Sequence, residues 1–450
     1  MRIARISVYI LLVFLACGLF VQAVDAAQIY YSVGQNTDDH KTGSPTITIA
    51  SGTATFSVPQ TAANMGVGDR VTYNTSSVAF ISAKISATQW SLVTLTGGTP
   101  VNVVTGQTVN SIAHEFASLS DAIAGASDVN HLNTANLVAG TYVLNIPCYY
   151  DTASDSTSVT IIGYTTGPSN YIKIYAPNNT ATEVNQSQRH NGTWSSTAYN
   201  LRQLAFGGDY VVISNSNVKL IGLQISGENT AGDANEIKIS GGAFSGIEIG
   251  YCIIRGSGNT AFGTNIGIHI YSNSDGSTVK IYNNLIYNQK TDGIIGDFSD
   301  GSNIYVYNCT LIGPGGTSTG IDNTGSNTFV VKNTIVQGWS NGFSGTYDAA
   351  SGYNISDLAA DVPGSPSYNS TIVLFVNSAS SNYHLSAFDT AARDAGADLS
   401  SDTNLSFSDD IDGQGRSGSW DIGADEYIVA PSSSSIPYSI GSGAQIRVLP

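Results

Sequence analysis

Charged side chains are scarce in this 450-residue sequence. They make up 11% of the chain, and only 17 residues are lysine or arginine, against 33 aspartates and glutamates. The net charge of −16 repels polyphosphate, which argues against nucleic acid and anionic membrane surfaces as partners. Low charge can indicate disorder, but a hydrophobic content of 41% and 24 tyrosines do not fit a chain that cannot bury a core. The sequence therefore predicts a folded protein.

Long apolar runs are also scarce, and the one run of note is Ile6 to Phe20. It follows Arg2 and Arg5 and precedes small residues around Ala26, the pattern of a signal peptide over residues 1–26. The mature chain should begin near Ala27 and keep 15 basic and 32 acidic residues, a net charge of −17. A membrane anchor is one alternative, although the run is short for a span of roughly 20 residues. A lipid attached at Cys17 is another, although the residues after Cys17 remain apolar.

The chain contains a repeat that is visible without gaps. Each copy begins with two apolar residues at alternate positions, continues with a small or polar pair, and ends with another apolar residue. Alternation with a period of two is strand geometry, and a pair such as Asn283-Asn284 marks a bend, because asparagine tolerates the left-handed backbone conformation. The five copies are Val218–Ile225, Ile247–Ile254, Val279–Ile286, Ile304–Leu311 and Phe329–Val336.

A second set of short strands lies between the copies. Its apolar members should form one column, for example Ile268, Ile294 and Ile321. Several short strands per repeat, stacked about 4.8 Å apart with loops of variable length, are typical of a solenoid. The sequence therefore predicts an all-β protein built as a right-handed parallel β-helix. The five segments of the second set begin at Glu236, Gly267, Gly293, Gly320 and Gly342.

The ends of a solenoid must be covered, which suggests how the rest of the chain is organised. Alternating runs in Thr46–Asn110 predict a small inserted β subdomain, and the helical spacing in Glu115–Ser127 predicts a short capping helix. The expected organisation is a signal peptide at 1–26, an N-terminal strand, inserted subdomain and capping helix at 28–134, the β-helix at 135–390, a closing segment at 391–427 and a serine-rich tail at 428–450.

The three mature cysteines test the proposed register. Cys252 and Cys309 fall in the same bend column, with Asn284 from the intervening coil between them. Two coils correspond to about 10 Å, which is too far for a disulfide. We therefore expect free buried thiols, and no spacing of cysteine and histidine indicates zinc.

The motifs Asp410–Arg416 and Asp421–Tyr427 resemble the closing segment of bacterial exported right-handed β-helix proteins of the pectate-lyase-like superfamily. With the repeat, the resemblance covers roughly residues 135–427. It implies a secreted or cell-surface protein whose partner is a polysaccharide, and it names no activity.

Candidate catalytic residues come from the second set of strands. Its outward column reads Lys238, His269, Ile295, Asp322, Ser344. A polysaccharide lyase needs a base, for which Lys238 or His269 are candidates, and Asp292, Asp297 and Asp322 could hold Ca²⁺. A glycoside hydrolase would instead need two carboxylates, such as Asp292 and Asp322. Residues 291–294 resemble one short motif of polygalacturonases, but the other motifs of that family do not follow.

Candidate substrate-binding residues are mainly aromatic. Tyr282, Tyr305 and Tyr307 alternate with interior residues, so they should point outward and could stack on sugar rings. The loop at 188–202 adds Arg189 and Trp194 as a possible rim of a binding site. Three hypotheses stay open: a carbohydrate-binding protein, a polysaccharide lyase or hydrolase, and a non-enzymatic adhesin or spacer.

Overall fold

The computed structural model describes residues 25–203, 208–227, 232–242, 244–257, 263–271, 276–297, 301–316 and 318–429. Nearly all of the expected signal peptide and of the serine-rich tail therefore lies outside the described residues. Within the described ranges, no helix is both long and apolar enough to span a bilayer.

Three long parallel sheets form the main body, a right-handed parallel β-helix, as the sequence predicts. Sheet one contains β1 (Ala27–Tyr30), β8 (Tyr142–Pro147), β10 (Ile172–Tyr175), β13 (Val218–Ile221), β16 (Ile247–Gly250), β19 (Thr278–Tyr282), β22 (Asn303–Tyr307) and β25 (Thr328–Lys332). Sheet two contains β11 (Asn200–Gln203), β14 (Gln224–Gly227), β17 (Ile253–Arg255), β20 (Leu285–Tyr287), β23 (Thr310–Ile312), β26 (Ile335–Gln337), β28 (Asn354–Ser356) and β29 (Ser367–Tyr368). Sheet three contains β9 (Val159–Ile162), β12 (Val211–Ser214), β15 (Ala234–Ser240), β18 (Asn265–Tyr271), β21 (Asp292–Gly296), β24 (Thr319–Asn323) and β27 (Asn341–Gly345).

The strand register agrees with the alignment of the repeat. In sheet three, Ile268 pairs with Ile294 and Ile294 pairs with Ile321, so the three residues form one column. All three are fully buried in the core that runs through the coils. The outward column is also confirmed, because Lys238 pairs with His269 and Ile295 with Asp322.

The bends between sheets one and two have the predicted left-handed backbone. Asn283, Asn308 and Asn333 have φ angles of 50°, 48° and 51°. The residue after each of them faces the interior, where Asn284 Oδ1 accepts a hydrogen bond from Cys252 N at 2.8 Å. Cys252 and Cys309 are buried free thiols, as expected from their separation.

The inserted subdomain is a closed antiparallel barrel. Its strands are β2 (Thr46–Ala50), β3 (Thr53–Phe56), β4 (Arg70–Tyr73), β5 (Ser77–Lys84), β6 (Gln89–Val93) and β7 (Val103–Ala113). It lies in sequence between β1 and β8, which pair with each other in sheet one. The alternating residues found in the sequence fill its own core, around Ile47, Ile49 and Trp90.

Two short helices follow the barrel, α1 (Leu119–Gly125) and α2 (Leu137–Gly140). Ser118 caps α1, because its side chain accepts a hydrogen bond from Asp121 N. Leu119, Ala122 and Ile123 pack into the core of the coils, so α1 is the predicted capping helix.

The C-terminal part folds back over the outside of the coils. It begins with a hairpin of β30 (Phe375–Asn377) and β31 (Asn382–Leu385), joined by a 3₁₀ turn at Ser378–Ser380. The closing segment, residues 391–427, then packs Ile411 and Ala424 against sheet two, and Leu405 and Trp420 against sheet one. The outer faces of these two sheets are therefore partly covered by the chain itself.

Replacing Ile294 with aspartate should destabilise the fold by about 3 kcal/mol or more, because an unpaired charge would enter the packed column. Ile295→Asp is the matched control, since it places the same charge on the outer face of the same strand and should cost about 1 kcal/mol or less. Urea unfolding followed by circular dichroism measures both. Equal losses of stability in the two variants would contradict the assignment of inner and outer faces.

Candidate functional site

The outer face of sheet three carries most of the predicted catalytic residues. Each of its central strands places two successive residues inside, because a side chain at Gly293 would meet the interior side chain of Leu311 and Ile294 is also buried. Asp292 therefore falls on the outer face, and neighbouring coils place their polar residues beside it. The outer face has two columns: Asn235, Ile266, Asp292, Thr319 and Asn341, and Lys238, His269, Ile295, Asp322 and Ser344.

His269 is the centre of a polar network on this face. Its Nδ1 lies 3.1 Å from Asn235 Oδ1, and its Nε2 lies 3.0 Å from Asp297 Oδ2. Both contacts are made to oxygen acceptors, an arrangement that an imidazolium ring satisfies at both ends. Asn235 in turn donates to Asp209, which pairs with Lys238 at 3.0 Å. Lys238 and His269 are thus joined through two residues that the sequence analysis did not find.

Two carboxyl groups beside this network are held partly out of water. Burial, followed by the nearby Asp322 carboxylate, raises the pKa of Asp292 to about 6. Burial also raises the pKa of Asp322, whose Oδ1 is buried without a hydrogen-bond partner. A carboxyl group whose pKa lies near the working pH can hold a proton and donate it, so the pair is suited to acid–base chemistry.

The predicted calcium site is not assembled. Where the structure describes the chain, the groups of three ligating residues with atoms within 4.8 Å of one another are His40–Asp69–His114 and His384–Asp412–Asp425. Asp292, Asp297 and Asp322 are not such a group, because Asp297 turns to His269.

The tyrosine prediction is wrong for two of the three residues. Tyr282 and Tyr307 point away from the interior, but they are only 8% and 0% exposed. They pack in one cluster with Leu399, Leu405 and Trp420 of the closing segment, and Tyr305 lies half-buried at its edge. A side chain that is covered by the chain itself cannot stack on a sugar ring.

Arg189 and Trp194 also serve the packing of the C-terminal part. The guanidinium of Arg189 lies 4.4 Å from the ring centre of Tyr251 and donates to Ile411 O at 2.5 Å. Trp194 lies under Arg255, at 4.0 Å, and packs against the cluster that contains Ile411. Their contacts fasten the loop to the closing segment, so they do not form an open rim.

A buried acid lies directly beneath the outer face. Glu236 occupies the interior column that holds glycine at 267 and 293 in the next two coils, and it is fully buried. Its Oε1 accepts from Asn265 Nδ2 at 2.7 Å, and Gln289 can donate to its Oε2 at 3.0 Å. Burial raises the pKa of this carboxyl well above its usual value, because removal from water disfavours the charged form.

Comparisons with known proteins do not identify a function. No protein-family model matches the chain, and no curated protein matches it. Solved structures with a similar fold include a pectin methylesterase from Aspergillus niger, with 10% identity and a TM-score of 0.29, over 56% of this chain and 89% of that chain. Pectate lyase Pel9A has 14% identity and a TM-score of 0.29, over 69% of this chain and 91% of that chain. The strand register alone defines the fold of this protein.

The pH dependence of stability should reveal the neutral Glu236. The pKa of Glu236 is raised on folding. The contribution of this group to the free energy of unfolding is therefore greatest below its unfolded pKa of 4.5 and is lost as pH rises through its folded pKa. Glu236→Gln removes this loss, so between pH 4 and 8 the variant should gain on the wild type by up to about 1.4 kcal/mol per pH unit. Urea unfolding across this range measures the difference.

Glu248→Gln is the control, because this carboxylate is partly exposed and pairs with Lys219 at 3.1 Å. A parallel pH dependence of wild type and Glu236→Gln would show that Glu236 is not buried as a neutral acid.

Proposed function

We propose that this protein binds a polysaccharide along the outer face of sheet three. The observation that carries the proposal is that Lys238, His269 and Asp322 of sheet three remain partly exposed, whereas closing-segment residues pack on the outward apolar residues of sheets one and two. Lys238 and His269 lie on adjacent coils, and Asp322 lies two coils beyond His269 in the same outward column.

The spacing of this face suits a linear polymer. Successive coils repeat their outward side chains about every 4.8 Å, so a chain of sugar units that runs along the stack meets a new set of hydrogen-bonding groups at each coil. Lys238 supplies a donor, and Asp297 and Asp322 supply acceptors, while both ring nitrogens of His269 hold Asn235 and Asp297 in place. The network that joins Lys238 to His269 holds these groups in place before a ligand arrives, which reduces the entropy lost on binding.

Binding should depend on His269 and Lys238. His269→Ala and Lys238→Ala are expected to weaken binding to the preferred glycan by tenfold or more, because each disconnects the network that fixes the polar groups and Lys238→Ala also removes a donor. Thermal stability should change little, since half-exposed ion pairs contribute about 1 kcal/mol or less. A panel of acidic and neutral polysaccharides, measured by calorimetry, identifies the ligand and quantifies the loss.

Lys280→Ala is the matched control, because Lys280 is a half-buried outward lysine of sheet one. If Lys280→Ala weakens binding as much as Lys238→Ala, the ligand does not lie on sheet three. If the wild type binds no member of a broad panel, the chain is better explained as a rigid spacer at the cell surface.

Cleavage of the bound glycan is a second candidate function. The raised pKa of Asp292 favours it, because this acid can protonate a leaving oxygen while Asp322 acts as the base. Lys238 and His269 are bound to aspartates, which makes them better suited to orient a substrate than to act as the base of a lyase.

Asp292→Asn should abolish the release of reducing ends and leave glycan binding within about threefold of the wild type, since the amide has the same shape but cannot donate a proton from an acid. The activity of the wild type should fall as pH rises through about 6, where Asp292 loses its proton. Reducing-end and unsaturated-end assays on the bound glycan measure both results. Unsaturated ends would indicate a lyase instead, and an active Asp292→Asn would remove Asp292 from the mechanism.

A further inference from the structure

Three side chains that can ligate a metal converge between β31 and the closing segment. His384 comes from β31, Asp412 from the turn after Ile411, and Asp425 from the stretch that covers sheet two. His384 Nε2 lies 3.0 Å from Asp412 Oδ2 and 4.0 Å from Asp425 Oδ1. The ligand atoms of all three residues lie within 4.8 Å of one another.

One carboxylate oxygen in this cluster is buried without a donor, and a second lies close to the histidine. Asp412 Oδ1 is buried without a hydrogen-bond partner. The side chain of Asp425 is 8% exposed, and its Oδ1 lies 4.0 Å from His384 Nε2. Its other oxygen, Oδ2, accepts from Leu385 N at 2.7 Å. Buried oxygens without partners are costly, and a cation is one group that can satisfy several of them at once.

The neighbouring contacts orient the histidine for a metal. His384 Nδ1 lies 2.7 Å from Asn382 Oδ1, which can only accept a hydrogen bond. A proton on Nδ1 satisfies this contact, and Nε2 is directed toward the two aspartates, where a bound ion would take the place of the proton that Nε2 shares with Asp412 Oδ2. Histidine ligands of metals are commonly held by a carbonyl oxygen on the other ring nitrogen.

A second cluster shows what a satisfied arrangement looks like. In His40–Asp69–His114, Asp69 Oδ1 pairs with His114 Nδ1 at 2.8 Å. Asp69 Oδ2 pairs with His40 Nε2 at 3.1 Å and accepts from Gly66 N at 2.9 Å. Both oxygens of this carboxylate already have donors, so hydrogen bonds account for the cluster without an ion.

We propose that His384, Asp412 and Asp425 bind one divalent transition-metal ion of the zinc class. Zinc takes nitrogen and carboxylate ligands in a tetrahedron at about 2.0–2.2 Å, which places the ligand atoms roughly 3.3–3.5 Å apart. The observed separations of 3.0 and 4.0 Å lie on either side of this spacing. The metal would link β31 to two parts of the closing segment, and so would stabilise the packing of that segment on sheet two.

Titration of metal-free purified chain with zinc chloride tests this site. Calorimetry and native mass spectrometry should show one tightly bound ion per chain, and the midpoint of thermal unfolding should rise when zinc is added. Asp425→Asn and His384→Gln should weaken zinc binding by at least about a hundredfold. Asn382→Ala, which leaves all three ligands in place, should weaken it by roughly 10- to 100-fold. Cobalt(II) gives an independent readout, since visible absorption of a tetrahedral ion should be lost in the same variants.

The matched controls are two other histidines held between carboxylates. His131 lies 2.8 Å from both Glu115 and Asp128, and His40 belongs to the satisfied cluster. His131→Asn and His40→Asn should leave zinc affinity unchanged. Absence of tight zinc binding by the wild type overturns the proposal. Zinc binding that survives Asp425→Asn and Asn382→Ala, or that is lost in His40→Asn, also overturns it.

Discussion

The stack of coils depends on one tight bend that recurs between sheets one and two. Its first residue has a left-handed backbone in every coil from Gly222 to Tyr353, with φ angles between 48° and 69°. This conformation turns the chain within two residues and lets the next strand start in register. The second residue points inward, where Asn284 links two coils through Cys252 N and Ile249 O, and Asn354 does the same through Thr334 N and Val331 O. Each bend therefore fixes both the shape of its own coil and the position of the next one.

The same bends hold the closing segment. Asn283, Asn308 and Asn333 donate through their side chains to Asp409 O, to Asp421 O and to Ala397 O. Arg416 is buried beside them, where it donates to Asn283 Oδ1 and pairs with Glu426 at 3.1 Å. The asparagines that supply the left-handed backbone at the bends thus also form a track of hydrogen-bond donors to which the closing segment binds. Because that track lies between sheets one and two, the segment packs on the outer faces of those two sheets.

The sequence predicts the local and periodic features well, but it does not predict how the closing segment packs on sheets one and two. The column of Ile268, Ile294 and Ile321 can be predicted because the same sequence pattern recurs in each coil. The burial of Tyr282 and Tyr307 does not, because the residues that cover them lie about one hundred positions later in a segment without strand periodicity. The sequence predicts only part of the His269 network. Asp297 was a candidate, whereas nothing in the sequence marks Asn235 of β15 or Asp209, which precedes β12, as a polar partner. The second inward position of each strand could not be predicted either, because a glycine such as Gly293 has no side chain whose polarity would indicate the face on which it lies.

The carboxyl groups of this acidic chain differ in whether their oxygens have hydrogen-bond donors. Both oxygens of Asp69 accept hydrogen bonds, and Glu426 pairs with the buried Arg416. These two carboxylates therefore stabilise the fold and need no further partner. Glu236 avoids the cost of a buried charge by keeping its proton. Asp322 and Asp412 differ, since each has a buried oxygen without a donor, a property that they share with Glu115 and Asp361. Native structures rarely leave such atoms unsatisfied, and those that remain commonly mark places where a substrate proton, an ion or another group is to be received. Asp322 lies on the face that we propose binds a glycan, and Asp412 in the cluster that we propose binds a metal. An unsatisfied buried oxygen therefore does not identify a functional carboxyl group by itself, and at Asp322 and Asp412 it adds to the geometry of the two proposed sites.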